Sequence, residues 1–103
     1  MYARLISFSG ADPEKRDRAL ETIRGTVIPM LREYDGYGGY IALYDATNQR
    51  AKAILLWDSE QNAEEAEKTL VERRQKLASS VGLTVESADL YEAFVVELEG
   101  ARV

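Results

Sequence analysis

Residues 35–58 read DGYGGYIALYDATNQRAKAILLWD, and this stretch decides the fold. Two apolar, β-forming runs, residues 37–45 and 51–58, flank the short polar loop ATNQR. Such runs predict strands, and two strands this close along the chain must pair as antiparallel neighbours. The centre of the chain is therefore predicted to be a β-hairpin.

A helical pattern lies on each side of the hairpin. Upstream, Asp12 can cap a helix, and apolar residues then recur at helical spacing as far as Tyr34. Pro29 should kink the last turns of this helix, because proline removes a backbone hydrogen bond. Downstream, Ser59 is predicted to cap a second helix, which stops near Gly82.

One more strand is predicted at each end of the chain, over Tyr2 to Ser9 and over Leu90 to Leu98. The resulting order, βαββαβ, is that of the α+β ferredoxin-like fold. Right-handed crossovers place both helices on one face of a four-stranded antiparallel sheet of order 4-1-3-2. A chain of 103 residues suits a single domain, covering residues 1–103.

The glycines and tyrosines of the opening stretch allow two interpretations. Gly36 is well placed as the left-handed cap of the first helix, and Gly38 and Gly39 leave a bare patch where a strand can bulge. Tyr40 and Tyr44 share one face of the second strand. The segment is either a tight corner with packed tyrosines or one wall of a ligand pocket.

Composition excludes several classes of function. The chain contains no cysteine and no histidine, so disulfides, thiol catalysis, Ser–His catalysis and the commonest transition-metal and haem ligand are absent. We therefore expect no cofactor and no metal. A net charge of −5 disfavours nucleic acid and anionic membranes as partners. No long apolar run or export signal is visible, so a cytoplasmic location is expected.

Apolar residues occupy both faces of the predicted sheet. On the third strand, Ile54 and Leu56 point to one side and Leu55 and Trp57 to the other. Two helices can cover only one of these faces, so a second copy of the chain is the simplest cover for the other. The sequence thus predicts a homodimer in which two sheets pack into a barrel.

Four segments together resemble the antibiotic-biosynthesis-monooxygenase-like family of dimeric α/β-barrel proteins. They are MYAR at residues 1–4, IPMLREYDGYGGY at 28–40, LLWDSEQNAEEAE at 55–67 and YEAFVV at 91–96. The resemblance spans nearly the whole chain, and its most specific parts are the helix-to-strand corner and the segment around Trp57.

The resemblance implies ferredoxin-like protomers in two-fold dimers, with a pocket between the sheet and the helices of one protomer. Some members oxidise polycyclic aromatic substrates with dioxygen and no cofactor, and others bind and degrade haem. Trp57 matches a tryptophan that lines the family's pocket. The haem-degrading members use a histidine that this chain lacks, and strand one carries Ser7 rather than the pocket asparagine.

Each further candidate residue has a structural and a functional interpretation. Trp57 could be core or could stack on an aromatic ligand. Arg4, in the middle of a strand, could pair with Glu92 across the sheet or could hold a substrate phenolate or carboxylate. Arg74, on the second helix, is either solvated or part of the pocket, and Tyr40 could orient a substrate hydroxyl.

Two functions follow as hypotheses. The first is a homodimer that binds an aromatic or apolar metabolite, with cofactor-independent monooxygenation as one candidate activity; the substrate would form its own stabilised carbanion, and the protein would supply position and electrostatics. The second is a non-enzymatic dimeric binding or assembly module.

Overall fold

The computed structural model describes residues 1–100 and 103 and contains one four-stranded antiparallel sheet. The order β2-β3-β1-β4 is the predicted 4-1-3-2 order seen from the other edge, and the ferredoxin-like fold is confirmed. The strands are β1 (Tyr2–Ser9), β2 (Tyr37–Asp45), β3 (Arg50–Trp57) and β4 (Thr84–Glu92).

The first helical region is continuous but irregular. Its four parts are a 3-10 turn (Pro13–Lys15), α1 (Arg16–Thr22), a π-helical turn (Ile23–Val27) and α2 (Ile28–Leu31). Asp12 caps its start as predicted, because its Oδ1 accepts a hydrogen bond of 3.1 Å from the backbone N–H of Lys15.

The π-helical turn ends at Val27, two residues before Pro29, close to where the sequence predicts an irregularity. Proline cannot donate to the carbonyl four residues earlier, that of Gly25. The backbone there widens, and the N–H of Ile28 donates to the carbonyl of Ile23, five residues away. The distortion is thus a local adjustment to one missing donor.

The second predicted helix is confirmed as α3 (Glu60–Ser80). Ser59 is its N-cap, accepting a hydrogen bond of 3.1 Å from the backbone N–H of Asn62. Gly82 follows the helix with a φ of +76°, a conformation that favours glycine. No helix in the described residues is long and apolar enough to cross a membrane.

The predicted bounds of the last strand, Leu90 to Leu98, are wrong. β4 begins earlier, at Thr84, and pairs with β1 as far as Glu92. A register shift opposite Ser7 and Phe8 breaks the two-residue alternation of β4, which is why its polar sequence does not read as a strand. The apolar residues that follow Glu92 attracted the prediction instead.

One face of the sheet carries the helices and the core. Ile6, Leu55 and Trp57 are buried on this face against Leu31 and Leu70 of the helical layer. The remaining members of the buried core are small residues, which let α3 lie close to the strands: Ala53, Ala63 and Ala66. The other face of the sheet carries no helix, and Leu43 there is 50% exposed.

Candidate functional site

Three of the six residues that the sequence analysis selected lie in two adjacent rows on the helix-covered face. In one row, Tyr40, Leu55 and Arg4 sit side by side on β2, β3 and β1. Neighbouring strands are about 4.8 Å apart, so Arg4 and Tyr40 lie roughly 10 Å apart at the backbone. In the next row, Trp57 lies between Tyr37 and Tyr2.

Arg4 reaches up to α3, and its predicted pairing with Glu92 is wrong. Its Nη2 donates to Oε1 of Glu64 at 3.0 Å, and its Nε lies 3.6 Å from Oε1 of Glu67. The strand register explains the error: Arg4 is opposite Leu90, and Glu92 is opposite Tyr2. Arg4 itself is only 7% exposed, so this is a buried arginine beneath a helix.

Arg74 is the second buried cation of this region. Its side chain is 8% exposed, and two hydrogen bonds of 2.8 and 2.7 Å join it to the carboxylate of Glu67. Oε1 of Glu67 thus faces both Arg4 and Arg74. We call Arg4, Glu67 and Arg74 the charge cluster.

Only one of the two carboxylates that contact the arginines of the charge cluster is largely buried. Two guanidinium groups face one partly buried carboxylate, while the other acid, Glu64, has a side chain that is 61% exposed. The Nε of Arg4 is buried and has no hydrogen-bond partner among the described residues. A buried donor without a partner is costly, so the cluster is suited to accept one more anionic or hydrogen-bond-accepting group.

Tyr40 borders the same region and is a hydrogen-bond donor at neutral pH. Burial raises its pKa to about 12, the nearby Tyr37 adds to this, and the positive charge of Arg74 opposes it. A phenol with this pKa keeps its proton at neutral pH and can donate a hydrogen bond to a ligand oxygen. It is poorly suited to act as a general base.

Trp57 lies in a filled core. It is 1% exposed, and Tyr34 and Tyr37 pack edge-on against its ring with centroid distances of 6.3 and 6.1 Å. Two shallow depressions of the described surface lie elsewhere, one between the end of α3 and β4 and one at the β2–β3 hairpin. Any ligand that stacks on Trp57 must displace one of these tyrosines.

Tyr44 and Glu92 lie outside the charge cluster. The hydroxyl of Tyr44 donates to the carbonyl of Asp12 at 2.7 Å and accepts from its N–H at 3.1 Å, so it ties β2 to the start of the first helical region. Glu92 is exposed at the end of β4. These contacts give Tyr44 a structural role.

Gly36 occupies the corner that leads into β2 and has the predicted left-handed φ, +81°. Its predicted role as the cap of the first helix is wrong, because that helical region ends at Leu31 with Arg32 as its C-cap. A Cβ at this position would collide with Asp58 and Asn62, and the Gly36 carbonyl accepts a hydrogen bond of 2.9 Å from the N–H of Asp58. The bulge predicted at Gly38 and Gly39 appears as a register shift between β2 and β3. The corner is tight, which agrees with the structural interpretation of these glycines.

Sequence reasoning missed Glu67, which joins the two arginines. Seven residues, two helical turns, separate Glu67 from Arg74, so both project from one side of α3. That side also carries Glu64 and faces Arg4. The sequence signal that could have revealed Glu67 is the pair of acidic residues Glu64 and Glu67, three positions apart on α3. The fold places this helix over Arg4 of β1.

Chemically, the site offers two guanidinium groups and a neutral phenol in a poorly hydrated environment. This combination can bind and stabilise a phenolate or carboxylate. Among the described residues, no group of three acidic side chains could hold a metal ion.

The fold is similar to those of antibiotic-biosynthesis monooxygenases. It matches a monooxygenase from the gene ActVA-Orf6 of Streptomyces coelicolor, solved with the ligand nanaomycin D, at 19% identity and a TM-score of 0.68, covering 96% of this chain and 92% of that one. SnoaB of Streptomyces nogalater, a cofactor-independent oxygenase, matches at 13% identity and a TM-score of 0.65, covering 95% and 97%.

A third similar structure is HapK of Hahella chejuensis, at 8% identity and a TM-score of 0.67, covering 98% of this chain and 100% of that one. No protein-family model and no curated protein matches the sequence. At these identities the likeness confirms the expected fold, and the chemistry must be argued from this chain's own residues.

Proposed function

We propose that the protein is a homodimer that binds a planar aromatic metabolite with an acidic oxygen, between the sheet and α3, and oxidises it without a cofactor. The observation that carries the proposal is the charge cluster: two buried arginines share the carboxylate of Glu67, and the Nε of Arg4 has no hydrogen-bond partner among the residues that the structure describes. The likeness to a cofactor-independent oxygenase supports the choice of reaction.

In this proposal the arginines stabilise the ionised form of the substrate. A phenolate next to Arg4 and Arg74 is favoured electrostatically, because both cations lie where water is scarce. The ionised ring is electron-rich and can react with dioxygen directly. A phenol and one dioxygen give a quinone and one water, so the substrate supplies all the electrons.

Tyr40 serves as a fixed donor in the same site. Because its pKa is about 12, it is protonated throughout the neutral range and can donate to a substrate or product oxygen. Tyr40 positions the substrate ring, while Arg4 and Arg74 favour the ionised form of the substrate. Dimerisation and the expected cytoplasmic location remain predictions from the sequence.

The second candidate function is a non-enzymatic dimeric binding or assembly module. The specific observation in its favour is the filled core around Trp57, which is 1% exposed. If the charge cluster only joins α3 to the sheet, no ligand enters, and the surface of the sheet without helices is the functional part.

Ligand titration followed by Trp57 fluorescence tests the proposal, since Trp57 is the only tryptophan. We expect saturable quenching by a hydroxynaphthoquinone and loss of affinity of about tenfold or more in Arg74→Met, the size expected for a charged hydrogen-bonding partner. Lys76→Met is the matched control, because it removes one cation from the same helix at a side chain that is 77% exposed.

Oxygen uptake separates the two candidate functions. With a polycyclic phenol and no added cofactor, the wild type should consume one dioxygen per quinone formed, and Arg74→Met should be slower than Lys76→Met. Binding without oxygen uptake would support a binding module. No binding of any planar phenol or quinone would contradict the proposed site.

A further inference from the structure

Two tyrosines cover the ring of Trp57, and the fold holds them differently. Tyr37 belongs to β2, and its backbone pairs with that of Trp57 between β2 and β3. Tyr34 lies in the turn between α2 and β2, outside the helices and strands. A ligand that reaches Trp57 therefore displaces Tyr34 more readily than Tyr37, because a side chain on a turn can move without disturbing the sheet.

A chain of hydrogen bonds holds Tyr34 against α3. The hydroxyl oxygens of Tyr34 and Thr69 lie 2.8 Å apart, and Nη1 of Arg73 donates to the Tyr34 oxygen at 3.2 Å. The hydroxyl of Thr69 donates to the carbonyl of Ala66 at 3.4 Å, so Tyr34 is the donor toward Thr69. We call Tyr34, Thr69 and Arg73 the latch.

The latch lies at the surface, where it can open with little loss of free energy. Thr69 and Arg73 are exposed, and Tyr34 is half-buried. When the tyrosine leaves, water can replace each of its hydrogen bonds, and such an exchange changes the free energy only slightly. A ligand with modest affinity for the space beside Trp57 can therefore shift the equilibrium from the closed to the open position.

The turn that carries Tyr34 runs between two fixed points. Leu31, before it, is 1% exposed in the core. Gly36, after it, accepts the 2.9 Å hydrogen bond from the N–H of Asp58. Rotation of the Tyr34 side chain is enough to uncover Trp57, so neither α2 nor β2 has to move.

We propose that Tyr34 is the gate of the candidate site: its side chain swings away from Trp57 to admit a ligand, and the latch holds it closed when no ligand is bound. The inference rests on the proposed function and adds control of access to it. Arg73 loses its acceptor when the gate opens, so its guanidinium becomes available to an anionic ligand at the entrance.

The space behind the gate adjoins the charge cluster. Trp57 follows Leu55 by two positions on β3, and Arg4 lies beside Leu55 on β1. A ring that replaces Tyr34 against Trp57 thus lies in the row of the sheet next to Arg4. The gate also explains how a site can exist although the core around Trp57 is filled in the structure.

A gate of this kind has a characteristic effect on affinity. In the closed form Tyr34 occupies the place of the ligand, so the observed dissociation constant is the intrinsic one divided by the open fraction. A variant that weakens the latch raises the open fraction. It should therefore bind ligand faster and more tightly, whereas loss of a group that contacts the ligand would weaken binding.

The test compares Tyr34→Phe and Thr69→Val with the control Tyr91→Phe, which removes the hydroxyl of a 54% exposed tyrosine on β4. Tyr34→Phe keeps the ring over Trp57 and removes only its hydroxyl. Thr69→Val removes the other half of the same hydrogen bond and leaves the bond to Arg73.

Stopped-flow quenching of Trp57 fluorescence by a hydroxynaphthoquinone measures the association rate constant and the dissociation constant. Tyr34→Phe should raise the first and lower the second by about fivefold, the factor expected for loss of such hydrogen bonds. Thr69→Val should act in the same direction with a smaller effect. Tyr91→Phe should leave both constants unchanged.

Acrylamide, a neutral quencher, provides a second measurement that needs no bound ligand. Its quenching of Trp57 should increase in Tyr34→Phe and in Thr69→Val and should stay at the wild-type level in Tyr91→Phe. Unchanged acrylamide quenching in both latch variants would overturn the gate, because Trp57 would then be covered whether or not the latch is intact.

The outcomes separate the gate from the proposed function. Quinone binding with the same rate and affinity in Tyr34→Phe and the wild type overturns the gate and leaves the proposed function standing. Weaker binding in Tyr34→Phe makes Tyr34 a ligand contact and also overturns the gate. Increased acrylamide quenching in the latch variants without quinone binding in any protein contradicts the proposed function and supports Tyr34 as a movable cover of Trp57.

Discussion

Arg74 holds Glu67 by two parallel hydrogen bonds, 2.8 Å from Nη1 to Oε2 and 2.7 Å from Nη2 to Oε1. This two-point geometry fixes the carboxylate plane, and it leaves Oε1 also 3.6 Å from the Nε of Arg4. One acid therefore joins α3 internally and also faces the central strand β1. The stability of the region should depend on Glu67 more than on either arginine.

The first prediction is that Glu67→Gln destabilises the protein by about 2 kcal/mol. The change removes a negative charge and leaves two largely buried guanidinium groups close together. The expected loss of stability lies between the values for exposed and for buried ion pairs, because the side chain of Glu67 is 22% exposed. Urea unfolding measures it. The control is Glu65→Gln, whose pair with Lys68 is exposed to solvent and should contribute far less to stability. Equal effects of the two variants would show that the cluster is not stabilising.

The second prediction is that Arg4→Met costs only about 1 kcal/mol. Its two acidic partners do not become buried and unpaired, because Glu64 is 61% exposed and Glu67 keeps its bonds to Arg74. A pair with Glu92 in a dry environment would have cost on the order of 3 kcal/mol. Ligand affinity should nevertheless fall in Arg4→Met. A large loss of stability with unchanged ligand affinity would make Arg4 a scaffold residue.

The third prediction concerns the corner before β2. Gly36→Ala should destabilise by about 2 kcal/mol, because a Cβ is disfavoured at a φ of +81° and would also meet Asp58 and Asn62. Gly25→Ala is the matched control: nothing lies within 4 Å of its Cβ position, and alanine is the better helix former. The two variants should shift the denaturation midpoint in opposite directions. A shift of the same sign and size in both would mean that the corner is not strained by a side chain.

Local signals made most of the fold predictable. The caps Asp12 and Ser59, the left-handed Gly36 and the hairpin around residues 46–50 each act through nearby backbone, and all four appear in the structure. The last strand was misplaced because exposed apolar residues 94–98 resemble a strand more closely than the partly polar β4 does. Periodicity reports which residues are suited to burial, and it does not say which copy of the chain buries them.

The site was predictable only in part. The burial of Arg4 and Trp57 follows from their place in central strands, but the partner of Arg4 depends on how α3 crosses β1. A shift of one turn along α3 would change which acid faces Arg4. The link through Glu67 therefore required the three-dimensional register between a helix and a strand.

The fourth prediction uses the ionisation of Tyr40 to test its burial. Its pKa is about 12 in the folded protein, raised mainly by burial, whereas the unfolded chain releases the same proton near 10. The folded state therefore binds more protons than the unfolded state between these values, and stability must fall as the pH rises from about 10 to 12. One pKa unit corresponds to roughly 1.4 kcal/mol. The difference between the folded and unfolded pKa of Tyr40 therefore lowers the free energy of unfolding by on the order of 2 kcal/mol.

Urea unfolding at pH 9 and pH 11.5 measures this loss, with Tyr40→Phe and Tyr91→Phe as the matched pair. Tyr40→Phe should remove most of the pH dependence, and a remainder belongs to Tyr37, whose pKa burial also raises. Tyr91→Phe changes a phenol that is 54% exposed and should behave as the wild type does. Absorbance at 295 nm should show one phenol fewer titrating late in Tyr40→Phe. If both variants keep the full pH dependence, the hydroxyl of Tyr40 is accessible to water, and the poorly hydrated donor that the proposed site requires is absent.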